Sequence, residues 1–337
     1  MVIQTAFIGD VVLTLPLVDA LTEGFPSAKI GFVTKSQSTQ LLQQDKRISE
    51  IIIYDKHGKD AGIRSFFRLS RYIRSRNFDI ALLPHLSLRS TLLAYTSGIK
   101  ERIGFDAAVG NILLTKKTDY DPSCHLVKRI LKLASLLGVK EKERPPRIFI
   151  PPNDMEMING FLSAEGISKD ALLIGISPGA TWATKRWKKE GYAQFADRMI
   201  LKYGARVVIL GGNEDIELAE QIAAVMKNKP VISAGKTTLT QSAALIKRCR
   251  LVVTNDSGPM HIAMTVNTPA VVIYGPTSPE VGVGGPYGEN FVVVQKEGLP
   301  CRPCGTHGGK RCKKGTHACM NEISPQEVIL ACQKLMA

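Results

Sequence analysis

Short apolar runs recur along the chain, each bounded by polar or glycine-containing segments and separated by stretches long enough for a helix. They are Val2–Ile8, Ile30–Val33, Ile51–Tyr54 and Ile80–Leu83, then Leu172–Ser177, Val207–Leu210, Val231–Ser233, Leu251–Thr254 and Ala270–Tyr274. Near-continuous apolar runs fit strands buried on both faces, and their alternation with helix-like segments implies parallel α/β sheets. A proline-rich stretch, Pro145-Pro146 through Pro151-Pro152, interrupts the series near its midpoint and is the natural interdomain linker. The expected architecture is two Rossmann-like, doubly wound domains, 1–150 and 151–337, facing each other, with the final helix free to pack back on the first. Ligands of open α/β sheets lie beyond the carboxyl ends of the strands, so the active site is expected in the cleft between the two.

The junction Thr254-Asn255-Asp256-Ser257-Gly258-Pro259-Met260-His261-Ile262-Ala263 carries the most specific chemistry. Ser257 followed by Pro259 reads as an N-cap and a proline in the first helical turn. The first N–H groups of such a helix lack internal partners, its dipole adds partial positive charge, and Gly258 lets a ligand approach the backbone. A diphosphate fits there, although an ordinary turn with Asp256 as a local cap has the same spacing. Two other nucleotide patterns are excluded. Phe7-Ile8-Gly9-Asp10 offers a single glycine after the first strand, so the three-glycine dinucleotide fingerprint is missing. Gly235-Lys236-Thr237 resembles the end of a P-loop, but Pro230 stands where that loop needs its first glycine.

A chain of 337 residues, 44% hydrophobic, can bury a substantial core yet exceeds the size at which single cores stop growing, which agrees with two domains. Met1 to Pro16 lacks a basic start and carries Asp10, so no secretory signal is expected there, and the uncharged stretch Ser257 to Pro279 holds too many polar, proline and glycine residues for a membrane span. A soluble, cytoplasmic protein is expected. The net charge of +14 is uneven: residues 1–150 hold 23 Lys+Arg against 14 Asp+Glu, leaving 21 against 16 for the remainder. Arg64, Arg68, Arg71 and Ser75 fall at helical spacing with Arg74 and Arg76 beside them, a cationic face suited either to solvent or to an anionic partner. A membrane surface and a phosphorylated glycolipid rank ahead of nucleic acid, for which no motif is present.

Four separated motifs then fall in order. They are Ile8-Gly9-Asp10-Val11-Val12-Leu13-Thr14-Leu15-Pro16, Ser177-Pro178-Gly179-Ala180-Thr181 with Lys185-Arg186-Trp187, Asn255 to Ala263, and Tyr274-Gly275-Pro276-Thr277. Together they resemble the lipopolysaccharide heptosyltransferases of glycosyltransferase family 9 over nearly the whole chain, including a cysteine-rich segment like that of the heptosyltransferase II members. The resemblance implies a GT-B fold, an acceptor-binding amino-terminal domain, a carboxyl-terminal domain that binds ADP-heptose, and inverting, metal-independent transfer without a cofactor. It further implies a phosphorylated Kdo–lipid A type of acceptor, addition of the second heptose, and peripheral contact with the cytoplasmic face of the inner membrane.

Inverting sugar transfer requires a base for the acceptor hydroxyl and a group that stabilises the departing diphosphate. Asp10 suits the first role, and the family's base falls on this Gly-Asp; a helix N-cap is the plain alternative. Lys185 suits the second, since a flexible ammonium can follow negative charge as the anomeric bond breaks, and the family's phosphate-contacting lysine falls on this Lys-x-Trp. Asp256, Ser257, Gly258 and Pro259 are expected to hold sugar and diphosphate, mostly through backbone N–H groups, with Thr181 and His261 as further contacts. Glu214, after the strand Val207–Leu210, could accept hydrogen bonds from ribose hydroxyls, as could Asp215; a helix-start acid is the plain alternative. Arg64, Arg68 and Arg71 would attract the acceptor. Cys301-x2-Cys304-x7-Cys312-x6-Cys319, with His307 and His317 between, misses the common double-knuckle zinc spacing, so structural thiols are expected ahead of zinc or a disulfide and no metal is assigned. Two alternatives stand beside the heptosyltransferase: a family 9 transferase with another nucleotide sugar or acceptor, and a non-catalytic sugar-nucleotide or glycolipid-binding protein. Retention of Asp10 and Lys185 argues against the latter.

Overall fold

The computed structural model describes every residue except 56, 57, 59, 281–284 and 337. The chain divides into two compact units, Met1–Phe149 and Ile150–Ala337, each built on its own sheet. The first comprises β1 (Val2–Ile3), α1 (Ile8–Gly24), β2 (Gly31–Thr34), β3 (Glu50–Ile53), α2 (Ile63–Ser75), β4 (Ile80–Leu82), α3 (Leu88–Thr96), β5 (Glu101–Phe105), β6 (Lys116–Thr118) and α4 (Leu126–Ser135). The second opens with α5 (Pro152–Ala164), β7 (Leu173–Ser177), α6 (Lys189–Tyr203), β8 (Arg206–Ile209), α7 (Ile216–Val225), β9 (Val231–Ile232) and α8 (Leu239–Arg248). It continues with β10 (Leu251–Asn255), α9 (Gly258–Thr265), β11 (Ala270–Tyr274), β12 (Phe291–Gln295), α10 (Ala318–Asn321) and α11 (Pro325–Met336).

Among the described residues both sheets are parallel and share one plan. The first runs β3-β2-β1-β4-β5-β6 and the second β12-β11-β10-β7-β8-β9, so counted from its own first strand each reads 3-2-1-4-5-6. Strand order reverses between β1 and β4 and again between β7 and β10, the places where sheets of this kind bind ligands. The central strands are buried on both faces, as their unbroken Val, Ile and Leu runs require. Burial of the helices follows their pattern as well. Helix α1, apolar on every side, is buried nearly throughout from Gly9 to Leu21, whereas α2 buries only Ser70 and Ile73 and turns its arginines outward.

Several elements differ from those the sequence predicts. The strand expected over Val2–Ile8 ends at Ile3, and Ile8 already opens α1. Within that first turn Asp10 Oδ2 accepts the Phe7 N–H at 3.1 Å, satisfying a helix-start donor. Strands β5, β6 and β12 are additional. The charged pairs Glu101-Arg102 and Lys116-Lys117 hide β5 and β6 from an apolar-run pattern, while β12 is an edge strand, mostly half-buried. The last helix, α11, covers β11 and β12 and packs on α6, with Val328, Ile329, Ala331 and Cys332 in the core of the second unit. Among the described residues, no helix is long and apolar enough to cross a membrane.

Candidate functional site

Strands β7 and β10 are neighbours with Ser177 opposite Thr254, so the loops that follow them leave the sheet side by side at its reversal of strand order. Asn255, fully buried at the end of β10, fastens these loops. Its Nδ2 donates to the Pro178 carbonyl at 2.8 Å, while its Oδ1 accepts the Trp187 N–H at 3.1 Å and lies 3.1 Å from the Tyr192 hydroxyl. Burial pushes that hydroxyl far above the ordinary phenol range, which keeps it protonated. The Trp187 indole N–H in turn donates to the Ile323 carbonyl at 3.1 Å. A rigid frame therefore surrounds the loop that carries Lys185.

Lys185 projects from a single 3-10 turn, Ala183–Lys185, and its Nζ lies 2.5 Å from Asp256 Oδ2. The Thr277 hydroxyl donates to the same oxygen at 2.7 Å. One ammonium, one carboxylate and one hydroxyl thus meet beside the start of α9, and the ammonium, with three donors, spends one of them on Asp256. Arg186 turns its Nε to the Ala180 carbonyl at 3.0 Å, which holds the Ser177–Thr181 segment against the same turn.

Helix α9 begins as the sequence suggests, with one difference. Ser257 occupies the cap position in an extended conformation, but its hydroxyl makes no cap hydrogen bond and lies 3.5 Å from Thr254 Oγ1. The positive helix end is thus not covered by its own cap side chain. Backbone donors are fewer than the four residues Asp256, Ser257, Gly258 and Pro259 suggest: the Asp256 N–H bonds to the Ile273 carbonyl at 3.1 Å within the sheet, and Pro259 has none. Ser257 and Gly258 remain, both half-exposed. The Asp256 side chain serves Lys185 and Thr277, and His261 is buried one turn into α9.

Thr181 is exposed in the loop before Lys185. Glu214 is exposed in the turn after β8, whereas its neighbour Asp215 faces the Ser177–Thr181 segment: a Cβ on Gly179 would lie 2.2 Å from Asp215 Oδ1. Burial raises the Asp215 carboxyl above its ordinary value, opposed by the Gly212 N–H and by Arg186. Asp10 stands in the first unit, half-buried in the first turn of α1. Arg64, Arg68 and Arg71 are exposed along α2, Arg68 within 3.7 Å of Asp60, while Arg74 and Arg76 are occupied by the Thr96 carbonyl and by Glu50.

All seven cysteines are free thiols, and Cys249, Cys319 and Cys332 are buried. Among the described residues no three metal-binding side chains converge. Asn255, Thr277 and Thr184 are site residues beyond those expected from the sequence. A polar Thr-Asn pair closing the buried run Leu251–Val253 was the available signal for Asn255, and Thr277 ends the fourth motif.

A family model described as glycosyltransferase family 9 (heptosyltransferase) matches residues 66–314. The chain is 30% identical to lipooligosaccharide heptosyltransferase 2 of Haemophilus influenzae over 297 residues, covering 83% of this chain and 84% of the relative. Among solved structures it is similar to a family 9 glycosyltransferase from Veillonella parvula, with a TM-score of 0.89 and 28% identity over 99% of this chain and 96% of that one. It is also similar to E. coli ADP-heptose lps heptosyltransferase II, with a TM-score of 0.81 and 26% identity over 99% and 97% of the two chains.

Proposed function

As the chain belongs to glycosyltransferase family 9, the heptosyltransferases, and has the two parallel α/β domains of the GT-B fold, we propose that it moves a heptose from ADP-heptose to the inner core of lipopolysaccharide, adding the second heptose. The observation that carries this reading is the meeting of Lys185, Asp256 and Thr277 at a helix start that lacks a side-chain cap.

In this mechanism Asp10 takes the proton of the acceptor hydroxyl as that oxygen bonds to the anomeric carbon from the face opposite the leaving group. The bond from the anomeric carbon to the diphosphate oxygen breaks, ADP departs with the electron pair, and the anomeric configuration inverts. Lys185 and the Ser257 and Gly258 N–H groups stabilise the charge that builds on the diphosphate, an effect of about 3 kcal/mol per well-placed donor. Asp256 and Thr277 hold the ammonium in place for that step. Glu214, or its neighbour Asp215, accepts hydrogen bonds from the ribose hydroxyls. Arg64, Arg68 and Arg71 attract a phosphorylated Kdo–lipid A type of acceptor at the cytoplasmic face of the inner membrane, where the chain binds peripherally.

ADP release from ADP-heptose tests this reading, with Kdo2-lipid A and its mono-heptosylated form compared as acceptors and Asp10→Asn as control. Release that requires the mono-heptosylated acceptor and is lost in the variant is the expected result. Equal release with the unheptosylated acceptor would reassign the step to the first heptose, and no release with either acceptor would overturn the acceptor assignment.

A further inference from the structure

The segment 302–317, which contains two of the cysteines and both histidines of the cysteine-rich loop, has no part in the mechanism above, yet its contacts converge on the residues around Lys185 and Thr277. Thr184, immediately before Lys185, is bonded on three sides by this segment. Its N–H donates to the Gly309 carbonyl at 3.1 Å, its hydroxyl pairs with the Gly309 N–H at 2.8 Å and carbonyl at 3.0 Å, and its carbonyl lies 2.7 Å from His317 Nε2. Gly308 lies so close that a Cβ there would sit 2.7 Å from Trp182 Cβ and 2.9 Å from Lys185 Cγ. At the opposite end, Arg302 donates to the Thr277 carbonyl at 2.8 Å and the Cys304 N–H to the Pro276 carbonyl at 2.7 Å. Arg302 is anchored on the end of β12 by the Lys296 carbonyl at 2.6 Å and Gln295 Oε1 at 2.9 Å.

We propose that residues 302–317 form a brace for the donor site, with Thr184, Gly308, His317 and Arg302 as positioning residues that fix Lys185 and Thr277 on the two sides of Asp256. This rests on the donor-site reading above. A solvated surface loop would spend its polar groups on water. This one spends them on the two short segments whose side chains meet at one carboxylate oxygen. The physical need is clear: lysine is a long, flexible point charge, and a cation displaced by about 1 Å from a developing negative charge can lose on the order of a hundredfold in rate. The 3-10 turn that carries Lys185 is too short to hold itself, so the brace supplies the rigidity from outside.

The test uses Thr184→Val, Thr184→Ser and Gly308→Ala in the full-length protein, each with Lys185 intact and in a Lys185→Ala background, reading kcat, KM for ADP-heptose, and ADP affinity by calorimetry. With Lys185 intact, Thr184→Val and Gly308→Ala should each lower kcat or ADP affinity by about tenfold, Thr184→Ser should stay within about threefold, and none should add more than about twofold once Lys185 is absent. Equal losses in both backgrounds would show a purely structural role and overturn the brace, as would no loss in either variant. Should Thr184→Val fail to fold, Gly308→Ala decides on the same criteria; should neither fold, the mildest variant, Thr184→Ser, must show a measurable loss that vanishes with Lys185→Ala, or the brace is overturned. Absence of ADP binding by the unaltered protein would instead remove the donor-site reading itself, an outcome distinct from wild-type binding that the variants leave unchanged.

Discussion

Lys185 Nζ and Asp256 Oδ2 stand 2.5 Å apart with side chains only 13% and 10% exposed, and the carboxylate oxygen also accepts from Thr277. Removing one partner strands the other in a poorly solvated place. Asp256→Ala should cost about 2 kcal/mol of stability, residual exposure holding it below the range for a fully enclosed pair, while Lys185→Met combined with Asp256→Leu should recover most of that loss. Urea unfolding measures both, and each variant without Lys185 or Asp256 should keep no more than about a hundredth of the transferase activity. A double variant no more stable than Asp256→Ala alone would show that the pair contributes net stability beyond mutual neutralisation.

Asn255 makes a sharper claim on the frame. Asn255→Leu removes the donor to Pro178 and the acceptor for Trp187 and Tyr192 at a position without solvent, so a loss of about 3 kcal/mol is expected. Denaturant titration checks it. A loss below about 1 kcal/mol would mean that water replaces the amide, contrary to its full burial.

Asp10 separates stability from chemistry. Asp10→Asn keeps an oxygen for the Phe7 N–H, so unfolding should shift by less than about 1 kcal/mol. Turnover should nevertheless fall by at least about a hundredfold, because the amide cannot take a proton. Steady-state kinetics beside a melting curve settles it, and a variant that keeps near-normal turnover removes Asp10 from the role of base.

The thiols should react in a fixed order. Backbone N–H groups, that of His317 foremost, lower the Cys312 thiol below its ordinary value, whereas burial pushes Cys249 and Cys332 up to about 12. A lower value means a larger thiolate fraction near neutral pH, and the thiolate is the nucleophile. Alkylation followed by mass spectrometry should therefore mark Cys312 first and reach Cys249 and Cys332 only on unfolding. Early modification of Cys249 would contradict its enclosure.

Much of this was legible in the residues. Apolar runs located β7, β10 and β11 within a residue or so, and the Lys-x-Trp and Asp-Ser-Gly-Pro motifs contain the two residues that pair at the start of α9. Other features depend on partners distant in sequence. Asp10 can be read as a helix-start cap, but the residues around it do not tell that its carboxylate bonds Phe7 or that β1 ends at Ile3, because a Gly-Asp pair also suits a strand end. The charged starts of β5 and β6 conceal strands whose apolar content is set by their place toward the sheet edge. The Lys185–Asp256 pair could not be read locally either, since the cluster exists only once β7 and β10 lie side by side.

That separation also sets a timetable. The turn around Asp10 closes on Phe7, three residues away, and can form as soon as it is synthesised. Lys185 meets Asp256 across 71 residues, and Thr184 meets Gly309 and His317 across 125 and 133. A polypeptide growing from its amino end must therefore be made through Gly309 and His317 before Thr184 finds its partners, and a chain halted short of Gly309 carries Lys185 on an unfastened turn.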